Sequence, residues 1–116
     1  MDNHANNKER QLLVSQGEIS ALKKAIMYLK FSCEETESLL YAGSPLINSV
    51  LMKLIDIDDL GAQAKEFYKK KHVTNEFFVL SKIQKMEKER GKNIEVKMKN
   101  DAFKECMYPF PSGENH

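Results

Sequence analysis

Tryptophan is absent from this chain of 116 residues, and glycine, proline and cysteine number only five, three and two. So few backbone breakers leave long stretches free to propagate as helix. The two cysteines, Cys33 and Cys106, show no CxxC or CxH spacing, which excludes a disulfide framework and a zinc-binding pattern. They imply a reducing, intracellular setting, with each thiol serving as a small core residue. No apolar run approaches the roughly 20 residues that a membrane span needs. Residues 1–11 are polar and read as neither a signal nor a transit peptide. Charge of one sign is also lacking: the net charge is +1, so the molecule as a whole does not attract nucleic acid.

What is present points to helices. A hydrophobic share of 41% and a charged share of 30% are those of one ordinary globular domain. Ile19, Leu22, Ile26, Leu29, Cys33, Thr36 and Leu40 recur at gaps of three and four, an apolar stripe along a long first helix. Lys23, Lys24, Lys30, Glu34, Glu35 and Glu37 fall on its polar faces. Gly43 serves as a left-handed C-cap, and Ser44-Pro45 starts a second helix. That helix, with Leu46, Ile47, Val50, Leu51, Leu54 and Ile57, is apolar around much of its circumference and reads as the central one. Asp56, Asp58, Asp59 and Gly61 interrupt it as a capping turn. A short third helix holds Leu60, Ala64, Phe67 and Tyr68 and ends in Lys69-Lys70-Lys71-His72, where cations suit the helix dipole. Thr74 caps a fourth, with Phe77, Phe78, Leu80, Ile83 and Met86 inward and Gly91 closing it. Residues 93–108 alternate like a strand at Ile94, Val96 and Met98, yet Ile94, Met98, Ala102 and Cys106 recur every four residues. Helix is favoured, because a lone strand has nothing to pair with. The fold class is therefore all-α: a compact four- to five-helix bundle over residues 12–108, with frayed termini at 1–11 and 109–116.

No catalytic constellation emerges. His4 and His116 fall in the termini, and His72 beside three lysines is a poor base and a poor ligand. The acidic run Asp56-Ile57-Asp58-Asp59 lacks the glycine and distal glutamate of a calcium loop. Neither an enzyme activity nor a metal or other cofactor is expected. The basic stretches, Lys69 to His72 and Lys82, Lys85, Lys88, Arg90 and Lys92, read first as a solvated face. Brought together, they would suit an acidic peptide as well as a phosphate backbone.

Residues 47–86 resemble the N-terminal domain family of the elongation factor TFIIS, including its integrase-binding-domain variant. The resemblance is carried by Lys71-His72, Thr74 and the run Leu80-Ser81-Lys82-Ile83-Gln84-Lys85-Met86, with Ile47-Asn48, Leu51, Leu54, Ile57 and Leu60 upstream and Phe103-Lys104 downstream. The chain departs from the pattern by Val73 after the Lys-His pair, by Met86 where phenylalanine is common, and by lacking an acid in residues 41–45. The resemblance implies a docking module of nuclear transcription machinery that binds disordered, acidic-aromatic segments of protein partners between two loops. Carried over, those loops are residues 41–46 and 86–93. Ala42, Gly43, Leu46 and Met86 would shape the groove, with Lys82, Lys85 and Lys88 facing the peptide's acids. Alternatives from other classes are a coiled-coil assembly subunit, zipping through the stripe from Ile19 to Leu40 as a dimer rather than a monomer, and a BAG-like co-chaperone bundle echoed by Ile83-Gln84. Nucleic acid and membrane are not expected ligands.

Overall fold

A computed structural model describes residues 8–112, which form six α-helices and one 3-10 turn and contain no strand. The helices are α1 Gln16–Phe31, α2 Leu39–Ala42, α3 Pro45–Ile57, α4 Gly61–Tyr68, α5 Val73–Arg90 and α6 Val96–Met107, with the 3-10 turn at Thr36–Ser38. The all-α class is thus as expected, at six helices instead of four to five. The segment open to two readings is helical, as α6. No single helix here is long and apolar enough to cross a membrane; the bent pair Thr36–Ala42 and Pro45–Ile57 passes by length and composition only.

Local chemistry explains where each helix starts. Ser15 and Glu18 form a capping box on α1: the Ser15 hydroxyl accepts from the Glu18 amide, and the Glu18 carboxylate from the Ser15 amide. Ser44 caps α3 with Pro45 in its first turn, as the sequence implies. At α5 the cap is not Thr74. His72 Nδ1 accepts from the Asn75 amide at 3.3 Å, so the helix begins at Val73. Gly91 closes α5 in the left-handed region at φ 76, the conformation glycine adopts without strain. Gly43 does not: its φ is −100. A Cβ there would lie 3.3 Å from both Cys106 Sγ and the Leu39 carbonyl, so the glycine answers to close packing instead.

The long apolar stripe is not one helix. After Phe31 the amides of Ser32 and Cys33 both turn back to the Tyr28 carbonyl, and the chain breaks before the 3-10 turn. A continuing helix would spend the Leu29 carbonyl on the Cys33 amide. Here that carbonyl accepts from Lys82 Nζ at 2.9 Å, as does the Cys33 carbonyl at 2.9 Å, and the same ammonium donates to Ser38 Oγ at 2.7 Å. Lys30, assigned by the sequence to a polar face, is fully buried. Its Nζ donates to the Ala42 carbonyl at 2.7 Å and to those of Glu105 and Cys106 at 2.9 and 3.4 Å. Two lysines therefore cap three helix ends from inside the protein.

Two apolar clusters fill the interior. Ile19 and Ile26 of α1 pack with Leu51, Leu54 and Ile55 of α3. Ala42, Val79, Ile83, Cys106, Met107 and Phe110 form the second cluster, and Tyr68 touches both. Helix α3 is not buried all round, since Leu46, Val50 and Ile57 are exposed. On α5 the inward positions are Val79, Lys82, Ile83 and Glu87, while Phe77 and Leu80 face outward. Phe110, which the sequence reading puts in a frayed tail, is 8% exposed. Its ring meets Phe31, Phe67, Tyr68 and His72 at centroid distances of 5.5, 5.8, 5.2 and 5.1 Å. Residues 113–116 and 1–7 lie outside the described chain.

Asp58 holds the α3–α4 corner to α1. Its carboxylate takes Lys23 Nζ at 2.6 Å, Gln16 Nε2 at 2.9 Å and the Leu60 amide at 2.9 Å. The Lys23 hydrogen bond first, then the Leu60 amide and Gln16, bring its pKa down to about 2 from 3.8. Its stabilising contribution is complete above the ordinary carboxylate range and is lost as pH falls through about 2. Asp58→Asn is expected to flatten that acid limb in a pH series of urea melts. Burial acts the other way on Lys30, bringing its pKa from 10.5 to about 8. Between those values the unfolded chain holds a proton that the folded chain has released, so stability rises with pH across the window. Replacing Lys30 by Met keeps the volume, removes that rise and leaves carbonyls unpaired. The expected cost is about 2–4 kcal/mol at pH 7, read by urea denaturation.

Candidate functional site

An apolar concavity lies where the 3-10 turn and α2 meet α5 and α6. Leu39, Leu40 and Gly43 form one wall, Ile83 and Met86 the other, and Ile94, Ala102 and Cys106 the floor, in a cleft of about 570 Å³. Its rim carries Thr36, Glu37, Glu89 and Arg90. The Thr36 hydroxyl donates to Glu89 Oε1 at 2.6 Å, joining the two walls at the top. Behind the cleft the buried Glu87 carboxylate accepts from the Ile94 amide at 2.8 Å and pairs with Lys99 at 3.0 Å. The amide bond first and Lys99 second hold its pKa below the usual carboxylate range. That bond fixes the loop placing Ile94 in the floor.

The expected site residues divide. Gly43 and Met86 share this cleft, so the two loops do converge. Ala42 lies just beneath, buried, with its carbonyl given to Lys30. Leu46 is 80% exposed on the outer side of α3 and is not part of the cleft. Lys82 is turned inward and cannot meet a peptide's acid there. Its three hydrogen bonds leave the ammonium no free donor, and it lies 5.2 Å from the Phe78 ring centre. Lys85 faces a separate hollow of about 280 Å³ with Glu34, Thr74, Phe77, Phe78 and Ser81, and its Nζ is 3.5 Å from the Glu34 carbonyl. Lys88 is exposed and lines neither concavity.

Helical geometry accounts for the split. Ile83, Met86 and Arg90 are spaced i, i+3, i+7 and share one face of α5. Lys85, adjacent to Met86, is turned about 100° away. The cleft residues outside the two carried-over loops are Leu39, Leu40, Ile94 and Ala102, with Thr36 and Glu37 at the rim. Ile94, Ala102 and Cys106 already carried a signal in their four-residue recurrence.

Among the described residues, no group of three His, Cys, Asp or Glu is placed to hold a metal ion. Fold and cleft together define a small all-helical module with an apolar cleft between helix ends. Comparison with family models, with curated proteins and with solved structures gave no match.

Cys106 lines the floor yet is 1% exposed, and burial pushes its thiol pKa up against the nearby ammoniums of Lys30 and Lys82. Cys33 is only partly buried. A disulfide reagent is therefore expected to modify Cys33 first, and Cys106 at a rate set by unfolding, resolved by peptide mass mapping over time. Equal rates at the two thiols would mean that the floor is open to solvent.

Proposed function

We propose that this chain is a non-enzymatic protein-interaction module that receives an apolar or aromatic side chain from a short disordered segment of a partner. The observation that carries the reading is the convergence of Gly43 and Met86 on one apolar cleft floored by Ile94, Ala102 and Cys106. Such a notch suits an anchor residue, because burying a large apolar side chain in a desolvated pocket supplies most of the affinity of a small interface. Burial of a phenylalanine side chain stabilises by about 1.5–3 kcal/mol before the ordering cost of the peptide is subtracted. A single anchor of that size gives millimolar binding at best, and flanking contacts are needed to bring it toward the micromolar range. A place in nuclear transcription machinery belongs to the proposal through the resemblance of residues 47–86, and nothing in the cleft itself adds to it.

The expected outcome is specific. Titration with a peptide carrying a Phe-Ala-Ala-Leu anchor shifts amide resonances of Gly43, Met86, Ile94 and Ala102, and Met86→Asp abolishes the shifts without altering the helical circular dichroism. Shifts confined to the Phe77–Phe78 side of α5, or none at all, would refute the proposal.

A further inference from the structure

Resting on the docking reading above, we infer that the cleft selects a partner segment with basic residues flanking its apolar anchor, not acidic ones. The argument is charge complementarity at the rim. The lysines expected to meet an acidic peptide are elsewhere: Lys82 is buried on carbonyls, Lys85 faces the separate hollow about 100° round α5 from Met86, and Lys88 lines no part of the cleft. What remains at the rim is Glu37, Glu89 and Arg90, two carboxylates against one guanidinium. Glu37 is exposed, and its carboxylate has no partner among the described residues. Glu89 is held toward the cleft mouth by the Thr36 hydroxyl, which occupies Oε1 and leaves Oε2 for a ligand. Glu35 precedes the same wall in sequence and is exposed, whereas Glu34 belongs to the separate hollow with Lys85. Lys99, behind this wall, is paired with Glu87.

The occupant is therefore a short segment whose apolar side chain fills the floor while lysine or arginine at its flanks reaches Glu37 and Glu89. Two such rim pairs favour the basic peptide by about tenfold at low ionic strength, and added salt erodes the preference because rim charges are screened. The test uses three labelled peptides with the same Phe-Ala-Ala-Leu anchor, flanked by paired lysines, paired glutamates or paired serines. Affinity is measured by fluorescence anisotropy at low and high salt, and the binding site by amide shifts. The inference predicts lysine, then serine, then glutamate in falling affinity, and reversal of that order in the double variant Glu37→Lys, Glu89→Lys. Glu37→Lys alone, at an exposed and unpartnered side chain, serves as the variant that leaves the Thr36 bond intact and should halve the effect on a logarithmic scale. Equal or tighter binding of the glutamate peptide at the same amides overturns the inference and leaves the docking reading standing. No shift at Gly43, Met86 or Ala102 with any of the three peptides overturns both.

Discussion

Three helices end inside this protein, at Phe31, Ala42 and Met107, and the carbonyls exposed there are met by lysine ammoniums in place of water. Lys82 closes the end of α1 and holds Ser38, and Lys30 closes the ends of α2 and α6 together. Neither lysine is in an ion pair among the described residues. Burying an ammonium costs several kcal/mol. Charge-assisted hydrogen bonds of about 1.5–3 kcal/mol each and the negative ends of the helix dipoles offset part of that cost, and the remainder shows as the lowered pKa of both lysines. The arrangement also replaces capping residues that the sequence does not supply, since the ends of α1 and α2 have no left-handed glycine.

The cleft depends on this pair. Because Lys30 grips the Ala42 and Cys106 carbonyls at once, Gly43 is drawn against Cys106, closely enough that a Cβ at 43 would lie 3.3 Å from the thiol sulfur and press on it. Because Lys82 joins α5 to Ser38, the 3-10 turn stands beside α5 and Thr36 can reach Glu89. The walls are thus set by polar bonds beneath them, while the floor is left to small and medium apolar side chains. On the far side of the second cluster Phe110 closes the bundle, with four aromatic neighbours around one ring.

Much of this was legible beforehand, but unevenly. The Ser44-Pro45 start, the Gly91 stop and the four-residue recurrence from Ile94 to Cys106 are local signals, and each gave the element it implied. The convergence of residues 43 and 86 came from a resemblance rather than from periodicity. A hydropathy stripe counts Lys as outward, so periodicity alone places Lys30 and Lys82 toward solvent. Yet Lys30 lies four residues after Ile26, and Lys82 three after Val79, each on the buried face. A charged residue in register with an apolar stripe, near where that stripe breaks, was the available sign of an internal cap. Phe110 was hidden by its two flanking prolines, which mark an end of helix without marking an end of core.

The sequence by itself determined that the chain is helical and where most helices begin and stop, because capping and periodicity act over one or two turns. It also carried the four-residue recurrence that sets Ile94, Ala102 and Cys106 on one face of the cleft. Only the tertiary structure decided which charges remain available to a partner. An ammonium on a flexible stem can point to solvent or reach several ångströms to a carbonyl on another helix, and no local pattern distinguishes the two. The choice is made when helix ends separated by tens of residues meet and need a donor. That meeting turned Lys30 and Lys82 inward and left Glu37 and Glu89 at the cleft mouth.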